Sequence, residues 1–224
     1  YTAKHSMTSI EIYSPEKDKY STKRLALMNE LGKAIREGQL ELHYQPKISL
    51  ITGEVTGVEA LSRWIHPTLG YISPAEFVPI AEMTDMINEM TVWVLSESLA
   101  QVWRWQKQGV DIKVAVNISA RNLLDTNIIT IVKSLLLRYQ LSPSCLELEI
   151  TESSIMNNAD YSLKILKEIN DIGIDLSIDD FGTGYSSLAY LKKLPVKWLK
   201  IDYAFVINML EDEQDQIIVS STIK

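Results

Sequence analysis

Hydrophobic positions along this chain keep two alternating rhythms. Residues 22–38 carry Leu25, Met28, Leu31 and Ile35 at helical spacing, with Gly38 where a helix-ending glycine belongs. Residues 40–50 then alternate, Leu42 and Tyr44 against His43 and Gln45, as in a half-buried strand whose Pro46 marks an edge or a bulge. A second strand is predicted over 53–64. Ser73-Pro74-Ala75-Glu76 supplies an N-cap, a proline at the first helical position and a capping-box glutamate. A long helix follows over 90–108, ending before Gly109. The beat is then steady: strand 112–118, helix 122–139, strand 146–151, helix 161–172, strand 174–179, helix 186–194, strand 197–201 and a helix near 214–223. Strands alternating with helices predict βα units and a mainly parallel sheet. Trp93, Trp103 and Trp105 fall on the long helix and read as core and flank packing. Residues 1–21 fit none of this; they are polar, with one short apolar run at Ile10-Glu11-Ile12-Tyr13.

Composition narrows the class. With 224 residues, 46% of them hydrophobic, the chain can bury a substantial core and is expected to form one domain plus an N-terminal arm. No run approaches the roughly 18 apolar residues of a membrane span. The single cysteine, Cys145, excludes an internal disulfide, fits a reducing cytoplasm, and opens an apolar run in which a buried, inert thiol is expected. A net charge of −7 argues against a broad nucleic-acid surface, so DNA is not an expected partner. An acidic protein acting on a phosphate substrate needs cations to hold it.

The chemistry gathers at strand ends. Leu176-Ser177-Ile178-Asp179-Asp180 runs a strand into two adjacent carboxylates and then a glycine-punctuated loop. Glu59, Asn117, Glu149 with Glu152, and Lys200 with Asp202 stand at the ends of other predicted strands. In α/β folds the carboxyl ends of strands are where sites are built. Carboxylates and an amide, without a His or Cys cluster, favour Mg²⁺, Mn²⁺ or Ca²⁺ over structural Zn²⁺. So many acids predict a two-ion site of the kind that clamps an in-line phosphoryl displacement. Solvated turns and helix caps account for any one of these positions alone. His43 and His66 are not needed as ligands, and Gly182 to Ser187 is not a Walker loop.

The segment Glu59-Ala60-Leu61-Ser62-Arg63-Trp64 resembles the signature of EAL domains, the cyclic-di-GMP phosphodiesterases of bacterial signalling. The likeness extends from about residue 24 to 223: YQP at 44–46, HPTLGYISPAEFVPIAE at 66–82, VNIS at 116–119, ELEITES at 147–153, IDDFGTGYSSL at 178–188 and LKID at 199–202. It implies a TIM-like (β/α)8 barrel of the EAL type over 22–224, ending after about six strands where a full barrel has eight. Residues 1–21 resemble the last turn and strand of a GGDEF-like domain, implying an upstream GGDEF or sensor domain in the parent protein and leaving its membrane tethering open.

The resemblance also implies roles. Glu59, Asn117, Glu149 and Asp179 would hold one Mg²⁺ or Mn²⁺, and Asp180 would help hold a second. A water activated between the ions would attack phosphorus and open cyclic-di-GMP to linear pGpG. Lys200 would stand near that water and the phosphate, and Arg63 would hold a phosphate oxygen. Gln45 would face the nucleotide, a buried structural glutamine being the equal alternative. Glu152 would steady the loop from Phe181 to Ser187, and such loops couple to dimerisation, so a homodimer is implied. The chain departs from the pattern at Ile65, where the family commonly has Asn, and at residues 82–86, EMTDM. The family's EGVE strand and a later Gln would fall beyond Lys224. A catalytically inactive cyclic-di-GMP receptor or interaction module is therefore the alternative function, with a hydrolase of another phosphodiester on the same barrel a weaker third.

Overall fold

The computed structural model describes residues 22–156, 158–183 and 188–223; the predicted arm at 1–21 and the helix start at Ser186 lie outside them. The chain order is α1 (Thr22–Arg36), β1 (Leu40–Ile48), β2 (Val55–His66), β3 (Gly70–Ile72), α2 (Pro74–Glu82), α3 (Met86–Lys107), β4 (Lys113–Ile118), α4 (Ala120–Leu124) and α5 (Ile128–Tyr139). A 3₁₀ turn (Pro143–Cys145) leads to β5 (Leu146–Thr151), α6 (Glu152–Met156), α7 (Ala159–Asp171), β6 (Asp175–Phe181), α8 (Leu188–Leu191), β7 (Trp198–Ile201), α9 (Tyr203–Ile207) and α10 (Glu213–Ile223). Among the described residues the strands form one seven-stranded sheet in the order β1-β2-β4-β5-β6-β7, with β3 hairpinned on β2. From β2 onward the main pairings are parallel; β1 runs antiparallel to β2. The expected α/β architecture is present, but the described sheet is not a closed barrel.

The strands alternate in a way that fixes the two faces. Val58, Ala60, Val114, Val116, Leu146, Leu148, Ile150, Leu176 and Ile178 are buried in one cluster with Leu31, Leu95, Leu99, Val102, Val132, Leu136, Leu166 and Ile169 of the helices. Each Val, Leu or Ile among them contributes about 1.5–3 kcal/mol on burial. The other face carries Glu59, Ala115, Asn117, Glu147, Glu149, Asp175, Ser177 and Asp179, brought level by the parallel register. A typical barrel interior is filled with branched apolar residues. The corresponding face of this open sheet is polar and charged.

The sheet curls strongly toward that face. Lys47 of β1 reaches Glu147 and Glu149 of β5, and Lys200 of β7 reaches Glu59 of β2. Laid flat, three strand spacings separate the first pair and four the second, about 14 and 19 Å, more than a lysine side chain can span. Both ion pairs are chords across a trough.

Several local expectations change. On α1 the buried face is Leu27, Leu31, Ala34 and Ile35, whereas Leu25 and Met28 are 49% and 41% exposed. The helix expected over 122–139 is two helices, because Asp125 turns extended and its carboxylate accepts from the Asn127 amide. Ser119 and Asn122 form a capping box at the start of α4. Ser73 does cap α2, accepting from the Ala75 amide, but Glu76 pairs with Lys23 rather than with the cap. Pro46 lies on the edge strand, one residue before the irregularity at Lys47 and Ile48. His66 is buried as a structural residue, with Nδ1 accepting from the amides of Thr68 and Leu69 and Nε2 against Glu30.

Candidate metal centre

The site grows out of three parallel strands and the register between them. β2 delivers Glu59, β5 delivers Glu149 and β6 delivers Asp179. One carboxylate oxygen from each lies within 4.8 Å of the others. Glu149 is completely buried; the other two are partly open. Three negative charges in so small a volume demand a cation, and Lys200 supplies one. Its ammonium donates to Glu59 Oε2 and Asp179 Oδ2, each at 3.1 Å, and to Glu149 Oε2. Burial disfavours the charge on Lys200, yet the bond to Glu149 and the charges of Glu149, Glu59 and Asp179 hold its pKa above the ordinary lysine value. Burial pushes the Glu149 carboxyl up, the Glu59 charge adds to this, and Lys200 and Lys47 offset only part of it.

The other predicted site residues stand around this cluster. Asn117 is beside Glu149 in register, and its Nδ2 donates to Glu59 Oε1 at 2.8 Å. Its amide would have to turn over to offer oxygen to a cation. Asp180 is not a member of the cluster. It has a left-handed backbone (φ 53°), a conformation uncommon outside glycine and tolerated by Asp. Burial first, then the charges of Asp179 and Asp202 and a hydrogen bond shared with Asp202, raise its pKa. Asp202 itself caps α9 through the Ala204 amide. Gln45 pairs with Glu59 across β1 and β2, and Arg63 lies two alternations further along β2, donating to the Ser62 carbonyl. Glu152, buried at the start of α6, accepts from the Gly182 amide at 3.2 Å. Gly182 has φ 101°, and a Cβ there would stand 2.9 Å from the Phe205 ring, so a side chain is excluded at this point of the loop.

Two residues were missed by sequence reasoning. Lys47 Nζ donates to Glu149 Oε1 at 2.6 Å and to Glu147 Oε1 at 2.9 Å. Burial works against its charge, but the bonds to Glu149 and Glu147 outweigh it and raise its pKa. The signal was there: Glu147 and Glu149 alternate in β5, and Lys47 alternates with Gln45 in β1.

Three carboxylates and an amide with no sulfur or imidazole form a hard-oxygen donor set that fits Mg²⁺, Mn²⁺ or Ca²⁺. The buried hydroxyl of Ser177, whose Cα pairs with that of Glu149, has no hydrogen-bond partner among the described residues.

Residues 28–224 match the EAL domain family. The chain belongs to that family. The bifunctional diguanylate cyclase/cyclic di-GMP phosphodiesterase MucR of Pseudomonas aeruginosa is 46% identical over 201 residues, covering 89% of this chain and 29% of MucR. The cyclic di-GMP phosphodiesterase PdeR of Escherichia coli is 36% identical over 224 residues, all of this chain and 34% of PdeR. This EAL chain thus spans about a third of the length of those relatives. Among solved structures, the PaMucR phosphodiesterase in complex with c-di-GMP superposes with a TM-score of 0.84 at 46% identity, covering 88% of this chain and 80% of that one. The EAL enzyme Bd1971, bound to cAMP and cyclic-di-GMP, gives 0.83 at 31% identity, with coverage of 90% and 56%.

Proposed function

We propose that this EAL domain is a divalent-metal-dependent cyclic-di-GMP phosphodiesterase that opens the cyclic dinucleotide to linear pGpG. The observation that carries the reading is the convergence of Glu59, Glu149 and Asp179 within 4.8 Å in a member of a family whose relatives are cyclic di-GMP phosphodiesterases. Glu59, Glu149, Asp179 and the oxygen of Asn117 would hold one Mg²⁺ or Mn²⁺, and Asp180 would contribute to a second. When bound, such ions lower the pKa of water and neutralise charge on a phosphodiester undergoing in-line displacement. The chain's own residues bind and orient. Arg63 offers forked donors suited to a phosphate oxygen, and Gln45, paired in register with Glu59, would face a nucleotide edge. Lys200 would stand near the attacked phosphate, where an ammonium stabilises negative charge. Glu152 holds the backbone just past the Asp pair.

The test is conversion of cyclic-di-GMP to pGpG by the full-length protein, with and without Mg²⁺ or Mn²⁺. Turnover that needs the ion and vanishes in Glu59→Ala supports the enzyme. Tight nucleotide binding without turnover in the unmodified protein would select the receptor reading. The same proposal includes a GGDEF-like or sensor segment upstream, to which residues 1–21 would belong, a homodimer, and a cytoplasmic site of action. No helix among the described residues is long and apolar enough to cross a membrane.

A further inference from the structure

We propose that Lys47 is a positioning residue for the metal centre: it clamps Glu149 by one carboxylate oxygen so that the other is presented to the ion. This rests on the divalent-ion reading above. The two oxygens of Glu149 have separate cationic partners. Oε1 is bonded to Lys47 at 2.6 Å. Oε2 accepts from Lys200, whose ammonium also bonds Glu59 and Asp179. Lys200 occupies the place where a cation is demanded and must yield its bonds when an ion enters. Lys47 has no such conflict, since it comes from β1 and bonds the other oxygen of the carboxylate.

Lys47 is anchored as a fixed part of the interior. Its side chain is only 29% exposed, and its second bond, to Glu147, ties it to the strand that carries Glu149. Its Cα pairs with Gly57, which contributes no side chain to the concave face. A Cβ at Gly57 would come within 3.2 Å of the Lys113 carbonyl. Buried carboxylates that ligate ions are commonly oriented by an outer partner, and removing that partner typically weakens metal binding by about 10- to 100-fold.

Charge and orientation make opposite demands, and this gives the test its sign. A cation so close to a ligand repels a dication, so simple charge removal tightens metal binding. Loss of the clamp weakens it. Mn²⁺ affinity is measured calorimetrically, without nucleotide, in the full-length protein, with the Glu149→Gln variant subtracting ions bound elsewhere. Lys47→Met is expected to bind Mn²⁺ roughly 10- to 100-fold more weakly, and Lys47→Arg to bind far more tightly than Lys47→Met. Unchanged or tighter binding in Lys47→Met overturns the inference. If Lys47→Met fails to fold by near-UV circular dichroism, Lys47→Leu, which neither carries a charge nor donates, takes its place. Weaker binding than in the unmodified protein then supports the clamp, and equal or tighter binding overturns it. An unmodified protein that binds no Mn²⁺ above the Glu149→Gln background overturns the metal-site reading itself, a result distinct from either.

Discussion

Replacing Lys200 with methionine removes a charge that three carboxylates share while keeping most of the side chain's bulk. Removing one partner of a buried ion pair costs about 3–5 kcal/mol because the other charge stays behind unpaired. Here Glu149 is fully buried, but Lys200, Glu59 and Asp179 keep 28%, 16% and 21% of their side-chain exposure. Solvent screens part of the loss, which brings the expected cost to about 2–3 kcal/mol. For a domain of this size each kcal/mol moves the melting point by about 2–4 °C, so a fall of roughly 4–12 °C is expected in chelator. On the proposed metal reading, saturating Mg²⁺ or Mn²⁺ would place a cation among the same oxygens, and most of the gap to the unmodified protein is expected to close. Melting curves with EDTA and with excess metal measure both. Equal melting points in EDTA, or a gap that metal leaves unchanged, would refute the charge-replacement argument. The variant is also expected to bind Mn²⁺ more tightly, the reverse of Lys47→Met, while losing turnover.

Glu152→Ala leaves the Gly182 amide without its carboxylate. A bond to a charged group is worth about 1.5–3 kcal/mol, so kcat should fall roughly 10- to 100-fold with a smaller change in nucleotide affinity; an unaltered kcat contradicts the loop-holding role. Asp175 is disfavoured by burial, but its bonds to Lys113 and Lys197 prevail and hold its pKa below the ordinary carboxylate value. Its stabilising contribution is therefore full above about pH 4, the unfolded value, and is lost as pH falls through the folded one. Denaturant midpoints across that acid range should be flatter in Asp175→Asn, and an unchanged slope counts against the ion pair. Burial pushes the Cys145 thiol up to about 11, so at pH 8 the folded protein should resist a thiol reagent that labels it readily in denaturant. Rapid labelling of the native protein would show that the 3₁₀ turn opens.

Much of this was legible because the hydrophobic alternation and the site chemistry share a cause. The parallel strands put apolar residues outward and acids inward, so Glu59, Glu149 and Asp179 could be picked out as strand-end acids before any coordinates. Lengths were harder. α6 and α9 span five residues each and β3 three, too few to set up a period of their own. Asp125 broke a helix through a local side-chain bond that an apolar rhythm does not register. The burial of Leu27 and Ala34 in place of Leu25 and Met28 reflects how α1 lies on its neighbours, which only packing decides. Lys47 escaped notice because its partners are a hundred residues away. The curl of the sheet that brings them together is a tertiary property.

The most direct test is anomalous diffraction from crystals of the full-length protein soaked in Mn²⁺. A Mn²⁺ peak is expected among the oxygens of Glu59, Glu149 and Asp179, at about 2.1–2.2 Å from each, with the Lys200 ammonium displaced and Lys47 still on Glu149 Oε1. A peak elsewhere, with Lys200 still bonded to all three carboxylates, would contradict the account.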